Sequence, residues 1–159
     1  MLARKGAIVT GVDLAPENIY YAINQWGKVV AHFLKSDGFF YLHDSHPFMM
    51  IFDESVLPEG KLIPKYPYFK MTADMDTSIG GYASESKQAE NYFWGHQLST
   101  IMNGLLSGNL YVTYIKEYDR CVLGMGGSAI DKQGLSFYPD LEGKLPLVLS
   151  LKAMIMNHN

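Results

Sequence analysis

Between Trp94 and Leu105 the apolar residues Trp94, Leu98, Ile101, Met102 and Leu105 fall at i, i+4, i+7, i+8 and i+11. An α-helix is the structure that brings this spacing onto one face. The stretch therefore fixes one helix around which the rest of the chain must be arranged. Its spacing and end signals predict a helix from about Ser86 to Leu106. Ser84 and Ser86 can cap its start, and Glu85 and Glu90 put negative charge near its positive end. Gly104 and Gly108 bracket the stop, where a left-handed residue suits glycine. Tyr92 and Phe93 widen the apolar face. A helix this apolar needs cover on more than one side, from a sheet or from a neighbouring subunit.

The flanking segments read as strands. Before the helix, residues 7–12, 19–24, 29–34, 39–42 and 48–52 are short, apolar runs, each ended by a turn signal such as Pro16, Gly27, Gly38 or Pro47. Residues 69–75 add a further candidate strand. After the helix, residues 110–116 and 120–125 form a candidate pair, and 135–138 and 147–156 close the chain. Tyr111, Thr113 and Ile115 alternate there with Val112, Tyr114 and Lys116. Many short, punctuated strands argue for an antiparallel meander or barrel. Residues 53–69 differ: Pro58, Gly60, Pro64 and Pro67 lie close together. Proline cannot donate to a strand ladder, so this is an extended arm or loop. The expected class is α+β, mainly β: an antiparallel β-barrel or sandwich with one flanking helix and a proline-rich loop. At 159 residues, residues 1–159 form a single domain.

Composition narrows the functional classes. Charged residues make up 18% of the chain against 48% hydrophobic, where typical soluble domains carry about 25% charged residues. With 11 Tyr, 8 Phe and 9 Met there is ample material for buried interfaces, which points to an oligomer. The net charge of −3 argues against a basic nucleic-acid binder. The lone cysteine, Cys121, excludes an intramolecular disulfide and reads as a small buried hydrophobe made in a reducing cytoplasm. No secretory leader and no apolar run of membrane-spanning length is visible, so no membrane is implied.

Few residues suggest chemistry. His43 and His46 flank Asp44, but positions i and i+3 of an extended segment face opposite ways, and a polar turn is the reading. Gly124, Gly126 and Gly127 lack the lysine and hydroxyl of a phosphate loop and mark a bulge or a close backbone approach. No serine–histidine–aspartate set assembles from local signals. Asp13, Glu117 and Asp140 follow the order of the metal-holding carboxylates of RNase H-like nucleases. Against that alternative, glycines stand where the family's second helix is expected. A lipocalin-type ligand-binding barrel also stays open.

From Val56 onward the order of features resembles the tail-tube proteins of contractile phages and, more distantly, type VI secretion tube subunits. The pieces are Val56-Leu57-Pro58-Glu59-Gly60 with Ile63-Pro64, the helix with Ala89, Phe93, Trp94 and Gln97, the strand at 111–118 with Asp119-Arg120, and the closing segments around Gly126–Ile130 and 147–156. They cover about two thirds of the chain. The resemblance implies a virion structural protein of the tail tube or baseplate, assembled in the host cytoplasm as stacked homohexameric rings. It implies no enzyme activity, no cofactor and no metal. The partners would be further copies of the chain, sheath and baseplate proteins, and DNA in transit rather than DNA bound. The implied subunit interface holds Leu57, Pro58, Ile63, Pro64, Tyr66 and Tyr68 on the arm, with Tyr111, Tyr114, Leu147, Leu149 and Leu151 on the strands.

Overall fold

The computed structural model describes residues 28, 31–32, 34–69, 74–81, 84–122, 125 and 127–155. The described elements are β1 (Phe39–Ser45), β2 (Asp74–Gly81), β3 (Ser84–Phe93), α1 (Leu98–Ser107), β4 (Leu110–Tyr118), β5 (Ala129–Ile130), β6 (Ser136–Phe137) and β7 (Val148–Ile155). Single 3-10 turns occupy Met49–Ile51, Leu57–Glu59 and Pro139–Leu141. The fold is α+β and mainly β. Its three sheets are β1-β7-β4, β2-β3 and β5-β6, and they do not close into a barrel.

β7 is the apolar spine. Val148, Leu149, Ser150, Leu151 and Ala153 are all buried, because both flanks of the strand are paired and its inner face is packed. β1 and β4 each run antiparallel to β7, so they run in the same direction as one another. On the inner face Leu149, Leu151 and Ala153 pack with Leu105 and Leu110, and Leu98, Ile101 and Met102 of α1 join them. Burying each leucine contributes roughly 1.5–3 kcal/mol, so this face anchors the sheet. A second core lies beneath the loops. Phe52, Leu57, Tyr138, Leu141, Leu145, Leu147 and Val148 form it.

The other face is set by register. His43 and Lys116 lie opposite Ser150, and Tyr41 and Tyr114 lie opposite Lys152. Phe39 and Tyr111 lie opposite Met154. A bulge at Thr113, between Val112 and Tyr114, makes this so. One extra residue in β4 turns Tyr111 and Tyr114 to the same side. Simple alternation put them on opposite sides, and that expectation is corrected. The Thr113 hydroxyl donates to the Lys152 carbonyl at 3.3 Å across the bulge.

Several expected elements change. Residues 84–93 are strand β3, paired with β2, and the helix begins only at Leu98. Helix-forming Glu, Lys, Gln and Ala are overridden there by pairing with β2. The helix starts where Gln97 is extended and the Leu98 N–H is taken by the Tyr68 hydroxyl at 3.1 Å. Asn109, at φ 55, takes the left-handed turn after the Gly108 stop. Residues 48–52 form a 3-10 turn rather than a strand, because the His46 carbonyl accepts from the Met49 and Met50 N–H groups. Of the expected strand 120–125, the described residues 120–122 and 125 form no strand beyond a Cys121–Ser136 bridge, and β4 pairs with β7 instead. Ala31 and His32 are helical where a strand was expected. The expected strands 7–12 and 19–24 lie outside the described residues.

Candidate functional site

β1 and β4 end at the same rim, where Ser45 and Tyr118 both lie opposite Val148. Two backbone hydrogen bonds and one side-chain contact close the rim. The His46 N–H donates to the Leu147 carbonyl at 2.9 Å, and the Leu147 N–H donates to the Tyr118 carbonyl at 2.7 Å. The buried His46 ring then spans the gap, with Nε2 2.8 Å from Glu117 Oε1. Its Nδ1 accepts from the Phe48 N–H at 3.1 Å. A nitrogen that accepts carries no proton, so His46 is the Nε2–H tautomer and donates to Glu117. Both nitrogens are occupied. His46 fastens β1 to β4 and has no free position for a substrate.

A polar cluster on the open sheet face lies just inside the rim. At its floor is Ser150, fully buried. Tyr41 donates to its Oγ at 3.3 Å, and His43 Nδ1 lies 2.6 Å from the same atom. The Tyr114 and Tyr118 hydroxyls are 3.1 Å apart. The Tyr114 hydrogen bond, with help from Ser150 and the nearby Lys116 ammonium, holds the Tyr118 phenol below its ordinary range. The same bond, together with desolvation, pushes Tyr114 up to about 12. Ser150 thus ties Tyr41 and His43 of β1 to β7, and the His43 ring, though held at Nδ1, is exposed.

Loops continue the rim. Residues 116–119 and 143–146 line an open cleft of about 530 Å³. Beside it Arg120 contacts Asp119 at 3.0 Å, Asp131 at 3.3 Å and Glu142, and stacks on Phe137 at 4.2 Å. Glu142, foremost, raises the guanidinium pKa, and Asp131 is lowered chiefly by the Leu135 N–H. Gly60 and Gly127, both at positive φ, bring the arm and the glycine-rich loop against Asp140 and Pro58. That close approach at Gly127 is the one its sequence suggests.

The residues expected to carry function are scattered. Leu57, Leu147, Leu149 and Leu151 lie inside the chain's own two cores. Pro58, Ile63 and Pro64 are exposed, Tyr66 and Tyr68 are half-buried, and Tyr111 and Tyr114 stand on the open sheet face. The nuclease set does not assemble. Glu117 is engaged with His46 and Asp140 lies in a 3-10 turn beside Gly60. Asp13 is outside the described residues. Among the described residues no group of three His, Cys, Asp or Glu side chains is placed to hold a metal ion. His43 and His46, read as a polar turn, instead reach separate partners across the sheet. Sequence order gave no sign of this, since Ser150 lies 107 positions from His43.

No family model and no curated protein sequence matches the chain. A crystal structure of a provisionally assigned S-adenosylmethionine-dependent methyltransferase from Listeria monocytogenes is similar in fold, at a TM-score of 0.50 and 17% identity. The match covers 84% of this chain, and this chain spans 55% of that structure's length. The finding overturns the tail-tube identification, and with it the virion structural role and the expectation of a subunit without enzyme activity. The physical reason is the open β1-β7-β4 sheet, which has a helix on one face and no barrel closure. The nuclease alternative gains nothing from it. The turn from β3 to α1 carries one glycine, Gly95, and its first helix N–H is already taken by Tyr68. It is not the glycine-rich turn on which a nucleotide-type cofactor rests, so this turn offers S-adenosylmethionine no cradle.

Proposed function

We propose that this chain forms the acceptor-side part of a methyltransferase-type enzyme. The observation that carries the reading is the accessible His43, held at Nδ1 by the buried Ser150 beside the rim where β1 and β4 end. The fold likeness to a provisionally assigned methyltransferase supports it. An acceptor hydroxyl or amine loses a proton as it is methylated, and the exposed His43 imidazole is the group on this face suited to take it. Ser150 and Tyr118 position the ring and make no direct contact with the acceptor. His46 and Glu117 hold the strand ends that carry the cluster together.

The test is transfer of label from methyl-labelled S-adenosylmethionine by the purified protein into small-molecule and RNA pools. Transfer is expected, with a loss of about 100-fold in His43→Gln, the scale of a missing proton acceptor. Ser150→Ala should shift the pH profile while keeping part of the rate. No transfer into any pool, or full activity in His43→Gln, refutes the reading.

A further inference from the structure

We propose that the open face of the β1-β7-β4 sheet binds single-stranded nucleic acid. The exposed side of an antiparallel sheet is ordinarily polar. Here Phe39, Tyr41, Tyr111 and Tyr114 stand on it, each between 40% and 47% exposed. Rings two residues apart on one strand are separated by about 6.6 Å, a ladder on which successive bases can stack. Every base has a π-face, so such a platform tolerates sequence. Sheets with exposed aromatics on neighbouring strands are an established way to hold unpaired bases.

Charge supplies the second, independent argument. Lys152 lies between Tyr41 and Tyr114, and its Nζ sits 4.3 Å over the Phe39 ring. Lys116 lies in the next row, 4.9 Å over the Tyr118 ring. No carboxylate among the described residues forms an ion pair with either lysine. The carboxylates of these strands, Asp44 and Glu117, pair opposite Leu149 and so belong to the other face. A chain of net charge −3 thus presents a cationic, aromatic sheet surface on which the described residues of β1, β4 and β7 place no carboxylate. A polyanion bearing stackable rings is complementary to both features. A peptide or lipid surface would use the charge but leave the ladder of rings without a counterpart. This goes beyond the transfer reading, because binding needs neither methyl donor nor turnover.

The experiment is fluorescence anisotropy with labelled oligouridylate and oligoadenylate of about eight nucleotides, with duplex RNA as control. Saturable binding to the single strands is expected, weaker for the duplex. Tyr41→Ala and Tyr114→Ala should each weaken it about 5- to 100-fold, and Tyr114→Phe, which keeps the ring, should not. Lys116→Gln and Lys152→Gln should each reduce the salt slope by about 0.7. Phe69→Ala, an exposed aromatic away from the sheet, should leave binding unchanged. Three results would overturn the proposal. One is no saturable binding. Another is equal loss in Phe69→Ala or Tyr114→Phe. The third is a concentration-dependent dimer that Tyr41→Ala dissolves while oligonucleotides stay unbound, which would assign the face to a second copy.

Discussion

His46 offers the sharpest test of how the rim is built. Its ring is buried, receives the Phe48 N–H on Nδ1 and donates from Nε2 to Glu117. His46→Ala removes both bonds and the packing of the ring. Each hydrogen bond is worth about 1 kcal/mol net, and loss of the buried ring adds about 1 kcal/mol. The expected cost is about 3 kcal/mol. His46→Asn separates the contributions. An asparagine side chain accepts from the N–H two residues on, so the Phe48 bond survives and only the reach to Glu117 is lost. Its cost should be about half that of His46→Ala. Glu117→Gln keeps an acceptor opposite Nε2, and Glu117 is largely exposed. That change should cost under about 0.5 kcal/mol. Urea unfolding reads all three as shifts of the midpoint at constant slope. If His46→Asn costs as much as His46→Ala, the Phe48 bond contributes nothing. If Glu117→Gln costs as much as either, His46 is a charged partner rather than a neutral clasp. Either result refutes the account.

The tyrosine pair should show directly in an alkaline titration of tyrosinate absorbance. One residue, Tyr118, ionises below the ordinary value near 10, and Tyr114 ionises near 12. Tyr118→Phe removes the early step and lets Tyr114 fall back toward its ordinary range. His96 is lowered by burial, so it is neutral in the fold and gains a proton more readily when unfolded. Its stabilising contribution is present above pH 6.5 and is lost as pH falls through the lowered folded value. Thermal melts should weaken across that window, and less so in His96→Gln. Gly127 and Gly134 both have positive φ, but a Cβ on Gly127 would lie 2.4 Å from Pro58 Cγ while one on Gly134 meets nothing. Gly127→Ala should cost more than about 1 kcal/mol and Gly134→Ala less, measured by denaturant unfolding.

Where local pattern and tertiary demand agree, the sequence was readable. The 147–156 run reads as a closing apolar strand, and over 148–155 it is one, β7, whose central position between β1 and β4 explains its burial. β4 was readable for a similar reason. The helix was half readable. Leu98, Ile101, Met102 and Leu105 carry a true stripe onto the sheet, but Trp94 belongs to the link before α1. Residues 84–93 were misassigned because Glu, Lys, Gln and Ala favour helix locally, while pairing with 74–81 is a long-range fact. Residues 48–52 were misassigned because an apolar run looks alike in a strand and in a 3-10 turn.

The candidate site was illegible for a sharper reason. The contacts that bring its strands together join residues far apart in the chain: His43 to Ser150, His46 to Glu117, Tyr41 to Ser150. Net charge is silent on any one face, because it sums over surfaces that never meet a ligand together. A one-residue bulge at Thr113 decides which side Tyr111 shares with Tyr114, Lys116 and Tyr118. Were Thr113 paired in a regular ladder, Tyr111 would turn to the α1 side and leave the face of Tyr114, Lys116 and Tyr118. Because strand side chains repeat every two residues, the bulge absorbs Thr113 and keeps Tyr111 on that face. Deleting Thr113 leaves Tyr111 two positions before Tyr114 with the same partners on β7, so oligonucleotide binding and Tyr118 ionisation should both persist, and loss of either would refute this account of the bulge.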